Sequence, residues 1–157
     1  MTFRRALTAV VVAASALSVA PAADAREAAA PETVIRIDSV AEPGTVWKQS
    51  DQAGAPVIAR PFSGSANEGW VVVDYGAIRE QGQGLCATAE GGKVVGRACV
   101  GVPAQRWKVS FLSSGTVVVF QNLATAACVE HDGAGRPLLL ANCNVNLSAQ
   151  RWRVPAF

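Results

Sequence analysis

The sequence predicts an all-β protein assembled from repeated copies of one unit, and three observations predict it. "PAQRWKV" at residues 103–109 returns as "SAQRWRV" at 148–154, with Ala-Gln-Arg-Trp intact and a cation directly after the Trp in both copies. Each copy follows a cysteine pair, Cys86 and Cys99 before the first, Cys128 and Cys143 before the second. Between turns of Gly, Pro, Asn and Asp run short segments rich in β-branched and aromatic residues, such as "TVIRI", "WVVVD", "WKVSF" and "TVVVF". Outside the N-terminal segment none keeps a helical period beyond a turn or two.

The first 25 residues read as a secretory signal peptide. Arg4 and Arg5 precede an apolar run from Ala6 to Ala20, and Ala23 and Ala25 fill the small-residue positions before a cut at Arg26. The run is shorter than the roughly 20 strongly apolar residues needed to cross a bilayer, and Thr8, Ser15 and Ser18 interrupt it. No lipobox cysteine follows. A secreted, extracellular protein without a stable membrane anchor is therefore expected. Residues 26–33, "REAAAPET", are Ala-rich without an apolar pattern and form a loose lead-in.

Removing 25 of the 157 residues leaves 132, enough for one core, and residues 34–157 are expected to fill one domain. Without Arg4, Arg5 and Asp24 the totals of 14 basic and 12 acidic residues fall to 12 and 11. That near-balance provides little long-range attraction for nucleic acid or anionic lipid, so no nucleic-acid partner is expected.

Four cysteines in an exported chain point to two local disulfides. Three connectivities are open, and only Cys86–Cys99 with Cys128–Cys143 treats the two copies alike. A zinc site is not expected, because Cys128 and the single His131 have no close cysteine pair to join them. No cofactor is expected either: Gly91-Gly92-Lys93 lacks the spacing and the following helix of a phosphate loop.

A repeat of roughly 40 residues requires a copy upstream of Trp107, and Trp70 marks it. Aligning on Trp70 sets Val57, Ile58, Arg60 and Phe62 beside Val94, Val95, Arg97 and Cys99. Counting ten positions back from Val57, as Cys128 stands before Leu138, lands on Trp47. An aromatic pair of Trp47 and Phe62 would then replace the missing disulfide. Glu68-Gly69-Trp70 corresponds to Gln105-Arg106-Trp107 and Gln150-Arg151-Trp152, giving repeats over about 34–73, 74–111 and 112–157.

Gln-x-Trp closing the units, with an internal cysteine pair in two of them, resembles the ricin B-type lectin domain from about residue 34 to the C-terminus. The resemblance implies a β-trefoil: three four-stranded units around a pseudo-threefold axis, six strands in a short barrel and six in a hairpin cap. Trp70, Trp107 and Trp152 would converge inside. Because alternate strand residues share a face, the cations beside Trp107 and Trp152 would point out. The Gln would tie the following turn to the strand by hydrogen bonds.

The resemblance also implies a sugar site in each unit. It needs an Asp two positions after the first Cys, a polar residue four before the second Cys, an aromatic platform two before it, and an Asn just before the Gln. In the second unit these positions are Thr88, Val95, Arg97 and Ala104, and none matches. In the third they are Glu130, Leu139, Ala141 and Ala149, so one lengthened carboxylate survives beside His131 and Asp132. In the first they are Gln49, Ile58, Arg60 and Asn67, with two amides kept and an Arg for the platform. Candidate ligand-binding residues are therefore Glu130, His131, Asp132, Gln49 and Asn67.

No catalytic residue is expected. "SGS" at 63–65 reads as a turn, and no Gly-x-Ser-x-Gly setting exists. The leading expectation is a secreted, non-catalytic carbohydrate-binding module with glycans as partners. The alternatives are a trefoil that binds a secreted protein, for example a protease inhibitor presenting loops 50–56 or 63–69, and a structural companion in the cell envelope.

Overall fold

The computed structural model describes residues 32–112 and 115–154, so the expected leader and all but the last two residues of the lead-in lie outside it. The first repeat contributes β1 (Val34–Ile35), β2 (Asp38–Ser39), β3 (Thr45–Lys48), β4 (Ile58–Pro61) and β5 (Trp70–Val73). The second contributes β6 (Ala77–Glu80), β7 (Cys86–Glu90), β8 (Lys93–Arg97) and β9 (Trp107–Phe111). The third contributes β10 (Val117–Asn122), β11 (Cys128–Glu130), β12 (Leu139–Ala141) and β13 (Trp152–Arg153). Short 3-10 turns are the only helical elements among the described residues.

The pairing closes a barrel and leaves three hairpins outside it, which is a β-trefoil. Around the barrel β1 pairs β5, β5 pairs β6, Ala77 of β6 bridges Arg106 before β9, β9 pairs β10, β10 pairs β13, and β13 returns to β2. Strands β1 and β2 thus act as one interrupted strand, and every barrel edge finds a partner. The cap hairpins are β3–β4, β7–β8 and β11–β12.

On the pseudo-threefold axis the cap is knitted by a closed cycle of backbone hydrogen bonds. Val57 N donates to Val94 O at 2.9 Å, Val94 N to Leu138 O at 3.0 Å, and Leu138 N to Val57 O at 2.9 Å. All three side chains are fully buried. A second set runs between the same hairpins in the opposite sense, from donors two residues after the axial ones to acceptors two before them: Ala59 N to Arg136 O, Gly96 N to Ala55 O, and Leu140 N to Gly92 O. No repeat can satisfy these groups alone, and buried backbone groups left unpaired are costly.

Each repeat is closed by its tryptophan. Trp70, Trp107 and Trp152 are 0, 3 and 0 % exposed, and their indole Nε1 atoms donate to the carbonyls of Trp47, Ala87 and Val129. The residue two before each Trp ends a 3-10 turn, Ala66–Glu68, Pro103–Gln105 or Ser148–Gln150. Gln105 Oε1 accepts from Val100 N and Gly101 N, and its Nε2 donates to Ala98 O and to Thr88 Oγ1. Gln150 repeats this with Asn144 N, Asn142 O and Glu130 Oε2. The motif therefore ties the preceding turn to the hairpin, not the following one.

Glu68 fills the same position with the polarity reversed. Its Oε2 accepts from the backbone N–H groups of Ser63, Gly64 and Ser65, and its Oε1 accepts from Ser63 Oγ and Lys48 Nζ. Burial pushes the Glu68 carboxyl up, but the Ser63 and Lys48 hydrogen bonds and the Lys48 charge outweigh it and hold it at about 2 against an ordinary 4.5.

The disulfides Cys86–Cys99 and Cys128–Cys143 staple the second and third hairpins. The aromatic pair expected in the first repeat is not formed. Trp47 stands opposite Ala59, while Phe62 lies beyond β4, 42 % exposed beneath the Arg36 guanidinium. Trp47 turns into the core, where its ring meets Trp70, Phe120 and Trp152 at 5.8, 4.9 and 5.3 Å.

The counterpart of Cys86 and Cys128 is Val46, because Val46 faces Arg60 as Cys86 faces Arg97 and Cys128 faces Ala141. From this position to the axial residue is eight positions in the second repeat, ten in the third and eleven in the first. Counting ten in the first repeat therefore slips the register by one, which in a strand exchanges the two faces.

Removing the Cys128–Cys143 bridge by paired Ser substitution is expected to lower the unfolding free energy by about 2–4 kcal/mol in urea titrations. A loss under about 1 kcal/mol would show that the core alone fixes the third hairpin. Glu68 supplies stability that is complete above its unfolded value near 4.5 and is lost as pH falls toward about 2. Its size is on the order of 3 kcal/mol. The Glu68→Gln variant is expected to show a shallower loss of stability with falling pH across that window, and equal slopes in the two proteins would refute the assignment. Adding Lys48→Thr, which copies the Thr88–Gln105 pair, should restore part of the stability that Glu68→Gln loses at neutral pH.

Candidate functional site

The corrected register changes which residues stand at the three symmetry-related hairpin sites. Lys48, not Gln49, is the counterpart of Thr88 and Glu130, since each of the three contacts the motif residue of its own repeat. Gln49 is wholly buried; its Nε2 donates to Ser50 O and Ala55 O, and its amide lies against Gly96, where a Cβ would come within 2.3 Å of Oε1. It wedges the first hairpin against the second, and its Oε1 has no hydrogen-bond partner among the described residues. A glycine inside "KVVGR" was the available signal, because strand glycines mark a close approach.

Glu130, His131 and Asp132 are adjacent in sequence but engage three different partners. Glu130 Oε2 accepts from Gln150 Nε2 at 2.7 Å. The His131 side chain is 5 % exposed, with Nε2 2.8 Å from Glu42 Oε2 and the ring edge-on to Trp152. Asp132 pairs with Arg136 at 3.3 Å. Glu42 also accepts from Ala134 N at 3.1 Å, so it anchors the 131–134 loop to the first repeat across 89 positions of sequence. No local pattern signalled that contact. His131 joins the third repeat to the first, whereas Glu130 and Asp132 are engaged within the third. Among the described residues no cluster of three or more His, Cys, Asp or Glu could hold a metal ion.

The fifth candidate, Asn67, stands in a cleft that Gln49 also borders. An open depression of about 410 Å³ lies beside the first hairpin, bounded by β3, β4, the loop after β3 and the 3-10 turn before Trp70. Its polar lining is Lys48, Gln49, Ser50, Asp51, Arg60, Ser63 and Asn67. Loops 50–56 and 63–69, singled out from sequence as exposed, supply most of these groups. Lys48 Nζ is fixed by Glu68, Ser65 Oγ and Ser63 Oγ at 3.2, 3.1 and 3.4 Å. Asn67 Oδ1 accepts from Ser65 Oγ at 2.7 Å, and its Nδ2 reaches Asp51 Oδ1 at only 3.4 Å. The Arg60 guanidinium is exposed.

The equivalent sites are differently furnished. In the second repeat Arg97 is taken by Glu90, with Nε and Nη2 at 3.0 and 2.6 Å from its carboxylate oxygens. There the first-repeat loop also packs along β8, with Pro56 bridging Val95 and Gly54 N donating to Gly96 O. In the third, Glu130 is occupied by Gln150 and the remaining positions are apolar. Carboxylate, amide, hydroxyl and cation remain together only in the first repeat.

The fold recurs in solved structures at low identity. A designed threefold-symmetric protein, ThreeFoil, superimposes with a TM-score of 0.70 at 17 % identity, covering 77 % of this chain and 96 % of that one. A Polyporus squamosus lectin, solved with the human-type influenza-binding epitope Neu5Aca2-6Galb1-4GlcNAc, gives a TM-score of 0.70 at 18 % identity, covering 82 % of this chain and 50 % of that one. A mosquitocidal holotoxin gives 0.72 at 18 % identity over 82 % of this chain, which spans only 18 % of the toxin chain. No curated protein sequence matches. The family model for the ricin-type beta-trefoil lectin domain matches residues 35–152. With that match over most of its length, and with the closed barrel, three hairpins and three buried closing indoles, the chain belongs to the ricin-type β-trefoil lectin domain family.

Proposed function

We propose that the protein is an exported, non-catalytic carbohydrate-binding module whose ligand site is the first-repeat cleft. The carrying observation is that Ser50, Asp51, Arg60 and Asn67 line one open depression, while their symmetry mates are apolar or taken up within the protein. Carbohydrate recognition needs fixed acceptors and donors for adjacent hydroxyls, and a carboxylate beside a carboxamide supplies both. The Ser63–Ser65 and Glu68 network behind Lys48 holds the floor of the cleft without drawing on Asp51. Export is supported by the basic and apolar start of the sequence and by two disulfides, which persist in oxidising compartments.

A glycan array probed with the purified chain tests this reading. Binding to a defined saccharide set is expected, weakened roughly tenfold by Asp51→Ala or Asn67→Ala, as for loss of a hydrogen bond to a charged or polar group, and unaffected by Asp132→Ala. Silence across the array, or binding indifferent to both cleft substitutions, would remove the first-repeat cleft as a sugar site.

A further inference from the structure

The cleft has a cation to spare, and the structure shows why. Arg60, Arg97 and Ala141 occupy one position of the pseudo-threefold arrangement, facing Val46, Cys86 and Cys128 across their hairpins. Arg97 is neutralised by a two-point contact with Glu90, and Ala141 carries no charge. Arg60 has neither an ion pair nor a side-chain hydrogen bond among the described residues. The other cation of the cleft, Lys48, is already matched to the buried Glu68 carboxylate at 3.2 Å. Unmatched positive charge in the depression therefore resides on Arg60 alone.

The hydroxyl-reading groups come from other elements. Arg60 is carried by β4, whereas Asp51 belongs to the loop after β3 and Asn67 to the 3-10 turn. Asp51 and Asn67 lie within 3.4 Å of each other and present a carboxylate and an amide together. A ligand that satisfies the whole cleft needs an anionic group for a planar guanidinium fork and vicinal hydroxyls for the acceptor and donor pair.

We propose that the first-repeat cleft selects acidic saccharides, with a carboxylate or sulfate group on Arg60 and ring hydroxyls on Asp51 and Asn67; this rests on the carbohydrate-binding reading above. Arg presents parallel N–H donors that match a carboxylate or sulfate bidentately. A neutral sugar leaves that fork unmatched. A free inorganic anion has no hydroxyls for Asn67 and meets the like charge of Asp51. The acid group and the polyol must therefore belong to one molecule.

The test uses the full chain and a panel of sialylated, uronic-acid and sulfated oligosaccharides, each beside its methyl-ester or desulfated form, with sodium sulfate as the anion-only arm. Affinities are read by calorimetry or by ligand-observed NMR. Acidic members are expected to bind at least about tenfold more tightly than their neutral forms, the scale of one charge-assisted contact. Arg60→Gln should bring the acidic members down to the level of the neutral ones, so that the affinity ratio within each pair falls to about one. Tryptophan fluorescence checks that this exposed substitution keeps the fold. Equal affinity within each pair, or acidic binding indifferent to Arg60→Gln, overturns the acidic selectivity while sugar binding stands. Sulfate ion binding as tightly as the acidic oligosaccharides overturns it in favour of a simple anion site. Binding of no saccharide, acidic or neutral, overturns both this inference and the carbohydrate reading beneath it.

Discussion

The fold depends on a cycle of three main-chain hydrogen bonds at its axis, Val57 to Val94, Val94 to Leu138 and Leu138 back to Val57. Each hairpin donates to one neighbour and accepts from the other, so no hairpin is complete without both. Burial of the three side chains removes water as a substitute partner. Repeats that share so few residues can still occupy equivalent positions because the cycle uses backbone atoms, which every sequence supplies. What side chains must provide is an apolar residue at the axis and an indole closing each unit from below.

That backbone constraint frees the outer faces to diverge, and they have diverged unequally. The second repeat uses its Arg97 internally on Glu90, and the third uses Glu130 on Gln150. In the first, the motif position became Glu68 and its partner became Lys48, so the internal bond is made by a cation and a carboxylate of its own. Asp51, Asn67 and Arg60 face the cleft, and Ser50 stands where the second repeat has the Glu90 that ties down Arg97.

Much of this was legible in the sequence. The two "AQRW" copies, the cysteine spacing and the Trp at 70 pointed to three repeats and two local disulfides, and the resemblance they carry implied the inward indoles. Strand-by-strand correspondence was not, because the distance from the hairpin to the axis differs in every repeat, and a count borrowed from the third misplaced the first by one residue. That slip made Trp47 a partner for Phe62 and moved attention from Lys48 to Gln49. The Glu42 contact to His131 was beyond reach for a different reason: it joins the turn after β2 to a loop of the last repeat, and only closure of the ring brings them together. Asn67 was found because it adjoins the Trp70 motif, where the alignment is anchored.

The reversed polarity at 48 and 68 constrains how this repeat can change over generations. Replacing Glu68 alone would set an ammonium against a carboxamide, and replacing Lys48 alone would leave a buried carboxylate without its cation. Single-step routes between this arrangement and that of the sister repeats therefore pass through a less stable protein. Positions 48 and 68 are thereby coupled, whereas position 60 closes no internal bond and is free of that constraint.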